Sequence, residues 1–525
     1  MSTLFNSTSI HFEKSPVLLS DAKLPLSNPA FGVFKFQAIK IDCPDKYYHI
    51  VYSIDRSGSM SDRCSDGRTK QQHILHTLKN MCWYFHDHPT IYVRVSIFIF
   101  DCEVEQILDK EIITCENIQE IIKKIDLIRP KGSTDIGSAL QTVNDFIKDI
   151  RTCEVNSEIN HIFMTDGDAT YGELNPIFLK TYVDTSYTNV FVGFGIEHND
   201  AILSELSSQP NTSYYFIDKL ENSGLVYGEI LHSLLYKLLV KTEIIIDNGL
   251  LYDFNTDTWV NKLYIGDVVG ESNKVYHIIS ENPNECNIQI YAKKFTNRGF
   301  VFITVNNQTF EDNLTCYMFR QKTLQLLHEV KEFSKKEIKN LDNLNKYINV
   351  FDFIDGSACV GDDANDANDA NDGPDNNVYL KQEIKNKIKN EIKNKMKELM
   401  GEMKKYMKVN DLEDDKFMKN LCDDIYISYR TFGTIYSGMY TNARLTSQAT
   451  QRCYTVSDTP IAEIPDTFDT HQLSNFDDTP YSTSVVLELM RSVSDGNDNF
   501  AEPLPSENSS LCLSPPSSDD EDSFM

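Results

Sequence analysis

Residues 45–235 contain short apolar segments that alternate with amphipathic ones, and this alternation constrains the fold more than any other feature. The apolar segments are almost uninterrupted, which is typical of strands covered on both faces. Strands that alternate with helices predict an α/β fold, a doubly wound and mostly parallel sheet. The predicted strands are residues 47–54, 91–100, 161–165, 189–196 and 214–217, and the predicted helices are residues 69–86, 116–126, 136–150, 173–183, 199–207 and 221–239.

The sequence on either side of this unit predicts smaller regions. Residues 1–44 form a lead-in with one predicted strand, Phe31–Ile41. Residues 240–312 contain short strands separated by Gly, Asn and Asp turns, which predicts a small antiparallel β domain. A helical pattern resumes at residues 314–347.

The region after residue 360 is strongly biased in composition. Residues 361–377 repeat Ala-Asn-Asp without an apolar face, which predicts a flexible acidic linker. The helical region 378–454 begins with a Lys-rich amphipathic helix, in which ten Lys and four Glu between residues 381 and 408 give a net charge of +6. Its apolar stripe either packs on the body of the protein or binds a partner helix, and its four-residue spacing disfavours a coiled coil.

The tail, residues 456–525, carries 15 acidic residues and one Arg, so its net charge of −14 is half of the −28 of the whole chain. This composition predicts a disordered acidic tail. Several Ser and Thr residues of the tail lie in proline-directed or acidic contexts that resemble kinase sites, so phosphorylation is a hypothesis. These residues are Thr459, Thr479, Ser514 and Ser517.

Charge and cysteine content exclude several classes of function. The net charge of −28 and the pI of about 4.8 argue against a general nucleic-acid binder. No stretch reaches 18 apolar residues and no secretory signal is visible, so we expect no membrane insertion and a cytoplasmic location. The twelve cysteines include no CxxC pair and are expected to be reduced.

Runs of Lys, Asn and Ile are typical of A+T-rich genomes, such as those of giant viruses or some protists. If the protein is viral, we expect it in the host cell or the virion.

Three polar segments each follow a predicted strand or lie in a loop beside one. The strand YYHIVYSI ends in the motif Asp55-Arg-Ser-Gly-Ser, and the strand HIFMT is followed by Asp166. Between them, the loop KGSTDIG contains Thr134. In this order the segments resemble the von Willebrand factor A family, whose hallmark is Asp-x-Ser-x-Ser at the end of the first core strand. The resemblance covers residues 45–235 and implies a Rossmann-like sheet.

The resemblance also implies a metal-ion-dependent adhesion site. Its metal ligands would be Asp55, Ser57, Ser59, Thr134 and Asp166. In the family, the three hydroxyl groups bind the metal directly, and the two carboxylates bind it directly or through water. One coordination position stays open for an exposed Asp or Glu of a protein partner.

The chemistry of these side chains agrees with such a site. All of them are hard oxygen donors, which suit Mg²⁺, Ca²⁺ or Mn²⁺ and not zinc or copper. The carboxyl ends of parallel strands converge on one crevice, where open sheets usually bind ligands. Gly58 permits a close approach of the loop backbone. The sequence therefore predicts Mg²⁺, or alternatively Ca²⁺ or Mn²⁺, as the cofactor.

Other polar residues near the motifs have open roles. Asp135 and Asp168 either tune the charge of the site or only solvate loops, and Asp101 is a candidate to line the crevice. His161 is expected to be structural, and His198 is expected to start a helix and not to bind a metal.

The resemblance implies a divalent-cation-dependent protein-binding module within a multidomain intracellular protein. Residues Tyr440–Tyr454 also resemble a short motif that follows the A domain in some intracellular relatives.

The alternative to a binding module is a scaffold with a vestigial or stabilising metal site, and a metal-assisted hydrolase is a weaker alternative. We expect no enzymatic activity, because no Walker loop, HExxH or GxSxG motif is present. Some relatives carry a self-splicing domain that begins with Cys, for which Cys286 and Cys359 are candidates. The sequence does not fix the partner or the oligomeric state.

Overall fold

The computed structural model describes residues 4–13, 25–27, 29–43, 46–64, 66–153, 157–167, 169–195, 198–218, 220–311, 313–351, 375–454 and 479–495. The strands are β1 Phe5–Glu13, β2 Ala30–Ala38, β3 Tyr48–Asp55, β4 Val93–Phe100, β5 Val104–Ile112, β6 Glu158–Thr165, β7 Thr188–Phe194, β8 Thr212–Ile217, β9 Lys237–Asp247, β10 Leu250–Asp253, β11 Thr258–Val260, β12 Lys262–Val269, β13 Asn273–Ser280, β14 Asn287–Lys294, β15 Phe300–Val305 and β16 Gln308–Glu311. The α-helices are α1 Lys70–Asp87, α2 Ile118–Asp126, α3 Ile136–Cys153, α4 Pro176–Lys180, α5 Asp200–Leu206, α6 Ser223–Leu235, α7 Thr315–Phe351, α8 Asp375–Val409, α9 Lys416–Thr431, α10 Ser437–Thr450 and α11 Ser484–Asp495.

A six-stranded, mostly parallel sheet is the centre of the N-terminal half. Its strand order is β5-β4-β3-β6-β7-β8, and only β5 runs antiparallel to its neighbour. Every residue of β3 is buried, as expected for a central strand that is covered on both faces. The predicted α/β fold is therefore confirmed. The edge strand β5 was not predicted, because its polar and half-exposed residues follow no clear alternation.

Helices cover both faces of this sheet. On one face, Ile54 packs with Leu78 of α1 and Val226 of α6. On the other face, Phe163 packs with Leu140 of α3 and with residues of α5 and α10. The parallel strands and the covering helices bring the carboxyl ends of β3 and β6 to one edge of the sheet.

Two predicted helices have different bounds in the structure. The helix predicted at 173–183 is the short α4, whose start is fixed by Pro176 and by the side chain of Asn175, which accepts a hydrogen bond from the backbone of Ile177. The helix predicted at 221–239 ends at Leu235, and the chain enters β9 two residues later.

Two further sheets form a β-sandwich. One has the order β11-β10-β13-β2-β1-β16 and the other has the order β12-β9-β14-β15. Phe12, Phe34, Ile244 and Ile288 are buried between the two sheets, together with Cys286. Cys286 is thus a core residue of the sandwich and does not begin a separate domain, and Cys359 lies outside the described residues.

The N-terminal lead-in belongs to this sandwich. It contains two strands, β1 and β2, where the sequence predicted the single strand Phe31–Ile41. The first of them pairs antiparallel with β2 and parallel with β16, while β2 pairs antiparallel with β13. Residues 1–44 and 240–312 were predicted as separate regions, but β1 and β2 lie in one sheet with β10, β11, β13 and β16, because their apolar sides complete the core of the sandwich.

The helical region packs through the apolar stripe of the Lys-rich helix. Ile392, Met396 and Met403 of α8 are buried against residues of α7 and α9. This arrangement corresponds to the first interpretation of the stripe, packing on the body of the protein. Residues 361–374 of the predicted acidic linker lie outside the described residues, and α8 begins at Asp375.

Helix α11 corrects the prediction that residues 456–525 are disordered throughout. Val486, Leu489 and Val493 of this helix are buried against α1 and α6. The two helices approach closely at Gly228, where an added Cβ atom would lie 2.4 Å from the Cα atom of Met490. Of the kinase-like positions, Thr479 is buried and donates a hydrogen bond to the carbonyl of Arg452. The others, Thr459, Ser514 and Ser517, lie outside the described residues.

Among the helices of the described residues, none is long and apolar enough to cross a membrane. The ten cysteines of the described residues are free in the structure.

Candidate metal centre

The candidate centre is built on the loop that follows β3. Asp55 is the last residue of β3, and the chain turns at once into a short 3-10 helix, Gly58–Ser61. The backbone N–H of Gly58 donates to the carbonyl of Gly132 at 3.1 Å, and the backbone N–H of Lys131 donates to the carbonyl of Arg56 at 2.7 Å. These bonds tie the first motif to the loop that carries Thr134.

Asp55 is completely buried and both of its carboxylate oxygens accept hydrogen bonds. Oδ1 accepts from the backbone N–H of Ser57 at 2.7 Å, and Oδ2 accepts from the hydroxyl of Thr165 at 2.6 Å. Burial raises the pKa of Asp55 to about 6 and the charge of Asp166 adds to this, although the two hydrogen bonds oppose it. A nearby cation would favour the charged form of this carboxyl group.

Asp166 follows β6 and is also buried. Its Oδ1 atom accepts a hydrogen bond from the hydroxyl of Ser59 at 2.9 Å. Its Oδ2 atom accepts one from the ammonium group of Lys70 at 2.8 Å. Burial alone would lower the pKa of Lys70, but the hydrogen bonds and charges of Asp166 and Asp62 raise it above its ordinary value.

The three hydroxyl groups lie beside the carboxylates. The Oγ atoms of Ser57 and Ser59 are 3.1 Å apart. A Cβ atom placed on Gly167 would lie 3.7 Å from Ser59 Oγ and 3.8 Å from Thr134 Oγ1, so these two hydroxyls flank the same small space. The structure therefore brings all five predicted side chains together at one edge of the sheet. Binding of a metal by them stays a prediction.

The donor set fits a hard divalent cation. Two buried carboxylates and three hydroxyl groups offer only oxygen atoms, the ligand type that Mg²⁺, Ca²⁺ and Mn²⁺ prefer. Within the described ranges, no group of three or more His, Cys, Asp or Glu side chains could hold a metal ion.

Lys70 is the residue of the site that sequence reasoning missed. It lies 96 positions from Asp166, so no local pattern connects the two. A signal was nevertheless present, because Thr69 and Gln72 form a capping box that starts α1 at Lys70. A capped helix that begins shortly after the Asp-x-Ser-x-Ser loop places its first residues near that loop.

The neighbouring acids have other partners. Asp101 accepts a hydrogen bond from Arg56 Nε at 2.7 Å, and Arg56 also pairs with Glu105 at 2.9 Å. Burial alone would raise the pKa of Asp101, but hydrogen bonds from Glu103 N–H and from Arg56 lower it. Asp135 accepts a hydrogen bond from the backbone N–H of Ser138 and so caps α3.

The two histidines occupy the expected structural positions. His161 is completely buried in β6. His198 precedes α5 and contacts the hydroxyl of Tyr214. Asp168, the remaining acid near the motifs, lies outside the described residues.

The segment Tyr440–Tyr454 joins the helical region to the central sheet. Most of it is α10, and its Arg444 forms a completely buried ion pair with Asp424 of α9 at 3.0 Å. Tyr454 donates a hydrogen bond to Asp218, which follows β8, at 2.8 Å.

Comparison with known proteins shows which domain family the central sheet matches. Residues 50–168 match the family described as von Willebrand factor type A domain. Domains of this type are protein-interaction modules that often carry a metal-ion-dependent adhesion site. A comparison with curated proteins finds no match.

Several solved structures are similar in fold. One is a von Willebrand factor type A protein from Catenulispora acidiphila, with 12% identity and a TM-score of 0.42, which covers 64% of this chain and 83% of that one. Another is an ArnB paralogue from Sulfolobus acidocaldarius, with 12% identity and a TM-score of 0.42, covering 84% of this chain and 98% of that one. A third is proximal thread matrix protein 1 from the mussel byssus with a zinc-occupied MIDAS motif, with 17% identity and a TM-score of 0.30, covering 38% of this chain and 51% of that one.

The matched segment 50–168 includes all five candidate ligand residues and most of the central sheet. The chain therefore contains a von Willebrand factor type A domain.

Proposed function

We propose that this protein binds a protein partner in a divalent-cation-dependent manner, through an exposed Asp or Glu of the partner. The observation that carries the proposal is the convergence of Asp55, Ser57, Ser59, Thr134 and Asp166 at one edge of the sheet. When bound, the cation would supply a positive centre that attracts a carboxylate.

The charges of the chain's own side chains support this direction of recognition. Asp55 and Asp166 together balance the charge of one divalent cation, and the hydroxyls of Ser57, Ser59 and Thr134 add no charge. The two carboxylates are buried, whereas Gly58 is exposed and Ser59 is partly exposed. Ser57 and Thr134 are buried as well, so the arrangement holds its negative charges inside and opens toward solvent beside Gly58 and Ser59.

An apolar surface next to Thr134 supports contact with a protein. The backbone N–H groups of Thr170 and Tyr171 donate to the carbonyl of Thr134, which fixes the following segment beside the site. Four large apolar side chains of that segment are each more than half exposed, and grouped exposure of this kind marks interaction surfaces. They are Tyr171, Leu174, Ile177 and Phe178.

The first test is metal uptake by the full-length protein, measured by titration calorimetry with Mg²⁺ and Mn²⁺. We expect the wild type to bind one equivalent, and we expect Asp55→Asn and Ser57→Ala to lose most of the affinity. Asp145→Asn is the matched control, because Asp145 is exposed on α3 and pairs with Lys148. A folded wild type that takes up neither ion would contradict the proposal.

The second test is capture of partner proteins from extracts by the immobilised full-length chain, in Mg²⁺ and in EDTA. Captured proteins that are released by EDTA, and that are absent with Asp55→Asn, would support cation-dependent binding. Capture that is equal in both buffers favours the alternative, a scaffold in which the metal only stabilises the domain.

The proposal includes no enzymatic activity, no nucleic-acid partner and a cytoplasmic location, in a host cell or virion if the protein is viral. Its support is the sequence: the acidic charge, the cysteine spacing and the lack of hydrolase motifs. Turnover of a phosphoester or peptide bond by the purified protein would contradict the first of these expectations.

A further inference from the structure

Lys70 places a positively charged group inside the candidate metal centre. Its Nζ atom lies 2.8 Å from Asp166 Oδ2 and 3.2 Å from Asp62 Oδ2. The residue is only 8% exposed, and it is the first residue of α1. Its backbone N–H donates to the carbonyl of Asp62 at 2.9 Å, so the helix start is held against the motif loop. The ammonium group is therefore positioned by a capped helix and is not a mobile surface charge.

This ammonium group changes the charge that a cation would meet. Asp166 receives one hydrogen bond on each oxygen, from Ser59 on Oδ1 and from Lys70 on Oδ2. With Lys70 in place, one of the two negative charges of the centre is already balanced. A divalent cation near Asp166 would also be repelled by a like charge at short distance.

Asp62 offers the ammonium group a second position. Its carboxylate is about half exposed, at 54%, whereas that of Asp166 is completely buried. A small movement of the lysine side chain toward Asp62 would keep the ammonium group paired while it leaves Asp166. In the structure Lys70 pairs with both carboxylates at once, and its pair with Asp62 would remain after the ammonium group leaves Asp166.

We propose that Lys70 sets the metal affinity of this centre by competing with the divalent cation for Asp166, and that Asp62 holds the lysine when the cation is bound. The inference rests on the proposed function, because it assumes that the centre takes up a cation. The inference adds Lys70 to the centre as a residue other than the five candidate ligands. It predicts that the metal affinity of this chain is weaker than the five ligands alone would give.

The test compares metal affinity by titration calorimetry with Mn²⁺ and Mg²⁺ in the full-length wild type and in Lys70→Met. Removing a unit positive charge a few Å from the site is expected to strengthen binding about tenfold or more. Lys79→Met is the matched control. Lys79 lies on the same helix, has the same exposed fraction of 8% and pairs with Asp126 at 3.0 Å. Its metal affinity should equal that of the wild type.

A second variant and a second readout make the test independent of folding defects in Lys70→Met. Asp62→Asn removes the alternative partner, so it is expected to weaken metal binding, whereas Lys70→Met strengthens it. Thermal unfolding gives the second readout. In EDTA, Lys70→Met should unfold at a lower temperature than the wild type because Asp166 loses its counter-charge, and Mg²⁺ should raise its midpoint more than it raises that of the wild type.

The outcomes separate this inference from the proposed function. Equal affinities in the wild type and Lys70→Met would overturn the role of Lys70 and leave cation-dependent binding intact. Uptake by Lys70→Met alone would support the role of Lys70 and overturn cation-dependent capture by the native chain. Absence of uptake in both folded proteins would overturn both.

Discussion

Both ring nitrogens of the buried His161 have a specific partner within the central sheet. His161 lies between two neighbouring strands, with Nε2 2.8 Å from Ser53 Oγ and Nδ1 3.0 Å from Asn189 Oδ1. The carbonyl oxygen of Asn189 can only accept, so Nδ1 carries the proton and Nε2 accepts from the serine hydroxyl. The neutral ring thus makes both of its hydrogen bonds inside the sheet, and a second proton would place a positive charge in a completely buried position.

The pH dependence of stability tests this account of His161. Burial lowers the pKa of His161 to about 4 in the folded protein, although the bond to Asn189 opposes the shift, against an ordinary value of 6.5. The unfolded chain therefore binds a proton between pH 6.5 and 4 while the folded chain does not, so stability falls as the pH falls through that range. At pH 5 this one group should cost about 2 kcal/mol.

We expect His161→Gln to show a smaller loss of thermal midpoint between pH 7.5 and pH 5 than the wild type. Gln can bridge the same two partners without taking up a proton. Differential scanning calorimetry at the two pH values measures the difference, and His86→Gln, near the partly exposed end of α1, is the control. An unchanged pH dependence in His161→Gln would show that other groups govern the acid response.

At the scale of elements, close helix packing fixes α11 on the domain. Met490 and Ser494 of α11 approach Gly228 and Gly224 of α6, with distances to an added Cβ atom of 2.4 Å and 2.5 Å. Two glycines four positions apart expose the helix backbone, which lets a second helix pack at short range. Helix α11 is thereby attached to the same face of the sheet as α1.

A substitution at this contact should detach α11. We expect Gly228→Leu to displace the helix, because backbone atoms of Met490 occupy the space that the new side chain would need. Limited proteolysis with mass spectrometry should then detect new cleavage within residues 484–495. Gly401→Ala is the control, because nothing lies within 4 Å of a Cβ atom there, and it should stabilise α8 by up to about 1 kcal/mol. Intact protection of α11 in Gly228→Leu would contradict the packing described.

At the scale of the whole molecule, strands of the sandwich precede and follow the type A domain in sequence, and the helical region comes after them. Strands from both ends of the domain meet in the parallel pair of β1 and β16, in which Ile10 is opposite Gln308. Arg320 of α7 donates to the carbonyls of Val275 and Gln448, which links the sandwich to α10. The metal centre lies outside these contacts, at the edge of the central sheet.

Stability of the sandwich and metal uptake should therefore be separable. We expect Phe12→Ala to cost about 3–5 kcal/mol, because Phe12 is completely buried in the sandwich core. Its Mg²⁺ affinity should equal that of the wild type. Calorimetric unfolding and Mg²⁺ titration measure the two properties, and Phe300→Ala, at a site that is 86% exposed, should change neither. A loss of Mg²⁺ affinity in folded Phe12→Ala would show that the sandwich supports the metal centre.

Local patterns in the sequence were enough to predict the central sheet and the convergence of Asp55 and Asp166, and the family resemblance supplied the other candidate ligands. Apolar runs such as residues 47–54 are local signals, and the rule that carboxyl ends of parallel strands converge then brings Asp55 and Asp166 together. The prediction failed where the signal was not local. The first strand carries a partly apolar pattern, but nothing in it specifies a partner nearly 300 positions away.

Three features could be read only from the folded protein: the place of β1 in the sandwich, the docking of α11 and the pairing of Lys70 with Asp166. Composition predicted disorder around α11, because the tail as a whole is rich in acidic residues and the apolar residues of one short helix do not change that average. The apolar face of α11 is buried only in the folded protein, where Gly228 lets the helix pack closely against α6. In each case the deciding contacts are with residues distant in sequence, which no local pattern contains. They are apolar burial for β1 and α11 and an ion pair for Lys70.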